Sequence, residues 1–261
     1  MAVSLTYIGT VDGTVNESGV LLIKDAPIGT AAADRLVFVV ARALGPSSGA
    51  SAGTIGGVSA TRAAFALRET GFGFNFTVEI WWAHVPSGTT ADIAFEEIGE
   101  IAHVAVYTVT GADTTTPVNS SDGSSHMAGT GSIELDVLAG GALLAGAISG
   151  FEATPNFTFT WTGAAKDEGD NWFVFEGYIG TTTASRETEA ELLAETISIV
   201  RSDTSLVEIG TAIAGVAIQP SEGDTGFSGI YLGDTQINAI KHGSDDIVAV
   251  YHGTTKIFEA G

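Results

Sequence analysis

Apolar and polar positions alternate with a period of two along much of the chain. From Phe72 the even positions read Phe72, Phe74, Phe76, Val78, Ile80 and Trp82, while the odd ones read Gly73, Asn75, Thr77, Glu79 and Trp81. This predicts a long strand with one core-facing side, Trp82 included, and one mostly polar side that carries Glu79 and Trp81 together. Ile133, Leu135 and Val137 alternate with Ser132, Glu134 and Asp136, and Phe157, Phe159 and Trp161 alternate with Thr158, Thr160 and Thr162. Further strand-like runs lie at 3–8, 20–23, 36–43, 93–97, 103–109, 172–178, 197–200 and 206–213. Turn-forming clusters rich in Gly, Pro, Ser and Asp punctuate them at 45–49, 86–88, 111–113, 121–123 and 168–170. Many short strands without alternating helices predict an all-β fold: an antiparallel, jelly-roll-like β-sandwich over residues 1–219. One segment, 187–195, carries enough helix formers to predict a single short helix.

Residues 220–225 read as a linker, and 226–261 follow another rule. Ile230, Gly233 and Ile237 recur ten residues later as Ile240, Gly243 and Ile247, and again as Val250, Gly253 and Ile257. Each unit has an aliphatic residue, a glycine three positions on, two small polar residues, and an isoleucine four beyond the glycine. Tyr231 and Tyr251 occupy matching positions in the first and third units. The glycines supply turns, and the flanking apolar residues supply short strands. Hairpins this short bury too little to stand alone, so the module is expected to pack on a neighbour or on copies of itself.

Composition narrows the field of partners. Lys and Arg number 10 against 31 Asp and Glu, a formal charge of −21, which disfavours nucleic acid and anionic lipid surfaces. With no cysteine, disulfide scaffolds, thiolate zinc sites and cysteine nucleophiles are excluded. No apolar run reaches the roughly 20 residues of a membrane-spanning helix. The opening residues lack the basic and apolar regions of a secretory signal, so assembly in a cytoplasm is expected.

Candidate chemistry is sparse. Glu79 and Trp81, on one strand face, and Trp172, beside an acidic segment, are candidate contacts to a glycan or to another subunit, since an exposed indole beside polar groups stacks on sugar rings. Asp167 and Asp170, within Asp167-Glu168-Gly169-Asp170-Asn171, are weak candidates for a calcium-binding hairpin tip without EF-hand spacing. His242 and His252 hold matching repeat positions, but Leu232 replaces histidine in the first unit, which weakens a metal site there. No pair of acids suited to glycoside hydrolysis can be named, and no catalytic residue and no cofactor is assigned.

The closing segment, IYLGDTQINAIKHGSDDIVAVYHGTTKIFEAG, resembles the YLGST-x-I/V repeats at the C-termini of many tailed-phage virion proteins. The stretch through Gly29-Thr30, Asp34-Arg35-Leu36-Val37, Thr54-Ile55-Gly56-Gly57-Val58 and residues 85–93 resembles Gly/Thr-rich β-sandwich proteins encoded beside phage structural genes. The resemblance implies a non-enzymatic structural or host-attachment component of a phage or gene-transfer-agent-like particle. Its expected partners are other virion proteins, copies of itself and a host surface glycan; its expected place is the virion. It does not choose between head and tail.

Overall fold

A computed structural model of the chain describes residues 1–16, 19–45, 48–70, 73–99, 101–126, 129–152, 158–174, 177–202, 210–221, 230–232, 235–237, 249–252 and 255–259. The chain divides into two compact units, Met1–Ser221 and Glu222–Gly261. All regular structure among the described residues is β, and every strand pair is antiparallel.

The first unit is an antiparallel β-sandwich made twice. Its leading half comprises β1 (Ser4–Val15), β2 (Val20–Pro27), β3 (Leu36–Gly45), β4 (Ala52–Ile55), β5 (Val58–Ser59), β6 (Thr61–Glu69), β7 (Asn75–His84), β8 (Thr90–Glu96) and β9 (Ile101–Thr110). They form one sheet of order β5-β4-β8-β2-β1-β9-β3-β7-β6 that folds over on itself. Leu21, Ile55, Ile93 and Phe95 from its β2, β4 and β8 arm thereby meet Val37, Val39, Trp81, Val104 and Val106 from its β3, β7 and β9 arm in one core. The trailing half comprises β10 (Val118–His126), β11 (Thr130–Val137), β12 (Ala142–Glu152), β13 (Phe159–Thr162), β14 (Ala165–Val174), β15 (Gly177–Glu187), β16 (Leu192–Arg201) and β17 (Thr211–Ile218). Its two sheets run β10-β17-β12-β15-β14 and β11-β16-β13, with Ile133, Leu135, Trp161, Ile197 and Ile199 packed on Leu143, Ala145 and Ile213 between them.

Leaving aside the two-residue β5, one order becomes the other when β1, β2, β3, β4, β6, β7, β8 and β9 are replaced by β10 through β17 in turn. In both, the first, eighth, third and sixth strands lie side by side in one layer and the second, seventh and fourth in the other, as in a jelly roll, with the fifth strand moved beside the sixth. The registers agree as well. Leu36 pairs with His84 and Val109, and its counterpart Ala142 pairs with Glu187 and Ile218. Even a β-bulge coincides: it lies between Arg62 and Ala64 on β6, and between the equivalent Lys166 and Glu168 on β14. Bulges of this kind are retained features of a fold rather than defects. The expected single sandwich over 1–219 is thus two successive rolls, hidden in the sequence because equivalent positions carry different residues.

The rolls stack face to face with reversed strand order. β6 lies over β10 and β17, β7 over β17 and β12, and β3 over β12, as an approximate two-fold axis through β3 and β12 requires. Phe38, Val40, Phe76, Val78 and Ile80 of the first roll share a third core with Leu144, Ile148, Ala212, Ala214 and Val216 of the second. The central strands of the two inner layers are therefore covered on both sides. β3 (LVFVVARALG) and β17 (TAIAGVAI) are buried at every position, whereas the outer strands β8 and β11 keep a clean in–out alternation. Small residues set how closely the layers approach. A Cβ on Gly123 would stand 2.1 Å from the Phe65 carbonyl oxygen, and one on Gly146 would stand 2.3 Å from Val40 Cγ1. The connection between the rolls is pinned by Asp113, whose carboxylate accepts bonds from the Thr115 hydroxyl and the Thr115 and Thr116 amides. Those bonds, the Thr115 hydroxyl first, hold its pKa down at about 2.

Three sequence expectations change here. The Ser-rich segment 121–123, read as a turn, lies inside β10. The acidic segment 167–171, read as a hairpin tip, lies inside β14. Residues 187–195 contain no helix: β15 ends at Glu187, Thr188 and Ala190 close a turn, and β16 starts at Leu192.

The second unit contains two hairpins, β18 (Ile230–Leu232) with β19 (Thr235–Ile237), and β20 (Ala249–His252) with β21 (Thr255–Glu259). Ile230 faces Ile237 across the first, and Val250 faces Phe258 across the second. Gly233, Ile240, Gly243, Ile247 and Gly253 lie outside the described residues.

Candidate functional site

A polar cluster lies where the two rolls meet, along the side on which side chains of β9 and β3 reach β14 and β15. Arg42 stands on β3 within a run of apolar residues, wholly buried. Its side chain is forced across the interface, where Nη1 pairs with the Glu168 carboxylate on β14. Its Nε and Nη2 atoms make no hydrogen bond. Tyr107, on β9, donates its hydroxyl toward Asp167 Oδ2 at 2.9 Å and lies 2.6 Å from Thr183 Oγ1. Ser185 donates to the other Asp167 oxygen at 3.0 Å, and Thr183 donates to Glu168. His103 sits directly opposite Arg42 in the β3–β9 ladder and opposite Asp12 in the β1–β9 ladder, 3.0 Å from the Asp12 carboxylate. At the near edge, Glu187 accepts the Leu5 amide at 2.6 Å.

Burial dominates the electrostatics. It drives the His103 pKa down to about 3, with the Arg42 charge adding to the effect, so the imidazole is neutral at pH 7. Burial raises the Asp167 carboxyl, against the hydrogen bonds from Ser185 and Tyr107, and also raises the Tyr107 phenol, with help from the Asp167 charge. Across the boundary the first roll supplies donors, Arg42, the Tyr107 hydroxyl and the Leu5 amide, and the second supplies the carboxylates of Asp167, Glu168 and Glu187 that receive them. On the opposite side of the approximate axis the same interface is apolar and built from small residues, among them Ala64, Ala66, Ala212 and Ala214. The contact is a wedge, closed where backbones approach through Ala and Gly and spanned elsewhere by long polar side chains.

Two further buried ions hold loops. Arg35 lies in a cage of backbone carbonyls, donating to Val85, Ile28, Gly29, Gly88 and Ser87, and so ties together the turns beside β2 and β8. Glu79 accepts from the Ala50 amide at 2.7 Å, from Trp81 Nε1 at 3.0 Å and from Arg62 at 3.4 Å, while the Arg62 guanidinium lies over the Phe65 and Trp81 rings. Burial raises the Glu79 pKa against these donors.

The sequence candidates fall as follows. Trp81 is 4% exposed and packs against Phe95 at 5.5 Å; Glu79 is wholly buried. Neither offers the exposed face expected for a glycan or another subunit, because β7 is covered on both sides rather than one. Trp82, expected in the core, is half-buried at the roll–roll face, where it stacks on Phe38. Trp172 lies in β14 opposite Ile179, and its side chain lies outside the described residues, as does that of Asp170. Asp167 is committed to Tyr107 and Ser185, and no group of three candidate metal ligands occurs among the described residues. Ile230, Tyr231, Ile237, Val250, Tyr251 and Ile257 lie on the strands of the second unit; nothing further is described for them. Structure brings together residues that the sequence reading passed over: Arg42, His103 and Tyr107. The available signal was a charged residue inside LVFVVARALG and an imidazole inside IAHVAVYTVT, each interrupting a run apolar enough to be buried on both faces.

Comparison of the chain with protein-family models, with curated proteins and with solved structures finds no match to any of the three.

Proposed function

We propose that this chain is a non-enzymatic structural component of a phage or phage-like particle, present in several copies and joined to its neighbours through residues 222–261. The observation that carries the reading is the pairing of a stacked two-roll body with a separate unit of hairpins only three to five residues per strand. Hairpins of that size are marginal by themselves and gain stability by packing on another surface. The body, by contrast, has three apolar cores and spends its buried charges on fixing loops and layers. The resemblance of the repeats to virion C-termini supplies the particle as the setting.

The test compares the full chain with a 1–221 truncation by size-exclusion chromatography with light scattering. The full chain is expected to form a defined oligomer and the truncation a folded species of lower order. An oligomeric state indifferent to the truncation would remove the assembly role, and failure to locate the chain in images of an intact particle would remove the virion setting.

A further inference from the structure

The roll–roll wedge has one polar side, and its chemistry is directional with respect to protons. His103 and Arg42 are direct cross-strand partners on the face that meets the second roll, 8% and 0% exposed. Beside His103 stand Arg42, its cross-strand partner on β3, and Asp12 on β1, while Tyr107, Asp167 and Glu168 belong to the same polar cluster across the interface. Of these, Asp12 is 3.0 Å away but 77% exposed, so the pair it forms with a charged His103 offsets little, while Glu168 is already committed to Arg42. A proton on His103 therefore places a second cation beside a buried guanidinium that already has two unbonded N–H groups. Opening this side would return both cations to water. The opposite side is packed through the small residues Ala64, Ala66, Ala212, Ala214 and Gly123, with Arg68 of β6 beside Gly210.

We propose that the polar side of the wedge is an acid-operated latch: charging His103 beside Arg42 parts β9 and β3 from β14 and β15, and the apolar side serves as the hinge on which the two rolls swing. The sign follows from linkage. The closed state holds the imidazole near 3, and an open one returns it toward 6.5, so acid binds the open state more strongly. The open-to-closed ratio rises as pH falls below about 6.5, by about 100-fold at pH 4.5. Asp167 works in the opposite sense, because its raised pKa lets the closed state take up a proton more readily. The latch therefore acts through His103 against that opposition.

The experiment uses the full chain and its His103→Gln variant, which keeps a donor toward Asp12 but cannot charge. Hydrogen exchange, corrected for the intrinsic effect of pH, is followed from pH 7 to pH 4. In the wild type, amides of 103–107 and 181–185 are expected to lose at least about 10-fold in protection by pH 4.5, with far-UV circular dichroism unchanged. In the variant the loss is expected to disappear or to move at least one pH unit lower. Retained protection in the wild type, or the same loss in both proteins, overturns the proposal. Should the variant fold poorly, the His103 ring resonances of the wild type decide: titration without any change at β14 and β15 also overturns it.

Discussion

Single residues in this protein are decided by whether both faces of their strand are covered. Glu79 looks like a surface acid when one face of β7 is assigned to solvent, yet it is the acceptor at the centre of Ala50, Arg62 and Trp81. Glu79→Ala would leave those donors unanswered and is expected to cost about 3 kcal/mol, read from the denaturant midpoint. A second position is strained in the opposite sense. Ala194 has a φ of 50°, in the left-handed region, and its amide is fixed by Asp136 Oδ1 at 2.7 Å, which leaves neighbouring Leu193 largely exposed. Asp25 of the first roll repeats the device, with a φ of 52° and its amide held by Asp92 Oδ1 at 3.0 Å. Ala194→Gly removes the Cβ that opposes this conformation and is expected to raise stability by up to about 1 kcal/mol in thermal unfolding. A decrease would mean that the left-handed conformation at Ala194 is not strained.

At the scale of elements, alternation was legible only where a strand belongs to an outer layer. Ile133, Leu135 and Val137 on β11 declared their inward face because Ser132, Glu134 and Asp136 truly meet solvent. β3 read as a strand but not as an inner one, since an unbroken apolar run does not say what covers each side, and the run read at 206–213 reaches only the first three residues of β17. β10 was missed because VNSSDGSSH is turn-like in composition, and its polarity has a structural use. Its side chains reach the backbone of β11: Asp122 accepts the Glu134 amide, Ser120 accepts the Asp136 amide, and Asn119 donates to the Asp136 carbonyl. Side chains thus close a seam that backbone pairing closes in the first roll through Thr14 with Leu22 and Val15 with Leu21. Where the rolls touch, Val40 fills the space above Gly146. Each of Val40→Ala and Gly146→Ala should destabilise, the first by emptying that space and the second by overfilling it, and the double variant should recover at least about 1 kcal/mol of the sum. Strict additivity in the double-mutant cycle would count against this packing.

For the whole molecule, the repeat visible in the sequence and the repeat present in the body are different things. The decapeptide units announce themselves because their glycines and isoleucines recur letter by letter. The two rolls share strand order, register and a bulge, yet Leu36 answers to Ala142, His84 to Glu187 and Val109 to Ile218. No local pattern could reveal that kinship, and for the same reason the polar cluster was illegible: Arg42 and Glu168 are distant in sequence and meet only through stacking. That divergence has an outcome for how the halves choose each other. Glu168 of β14 corresponds in register to Ala64 of β6. Two first rolls brought together by the same two-fold would each set a guanidinium against a methyl group, and two second rolls would strand a pair of acids with no cation between them. Each half is thereby unsuited to its own kind and matched to the other, so the layered body assembles from unlike neighbours on one chain and resists trading a half with another molecule's like half.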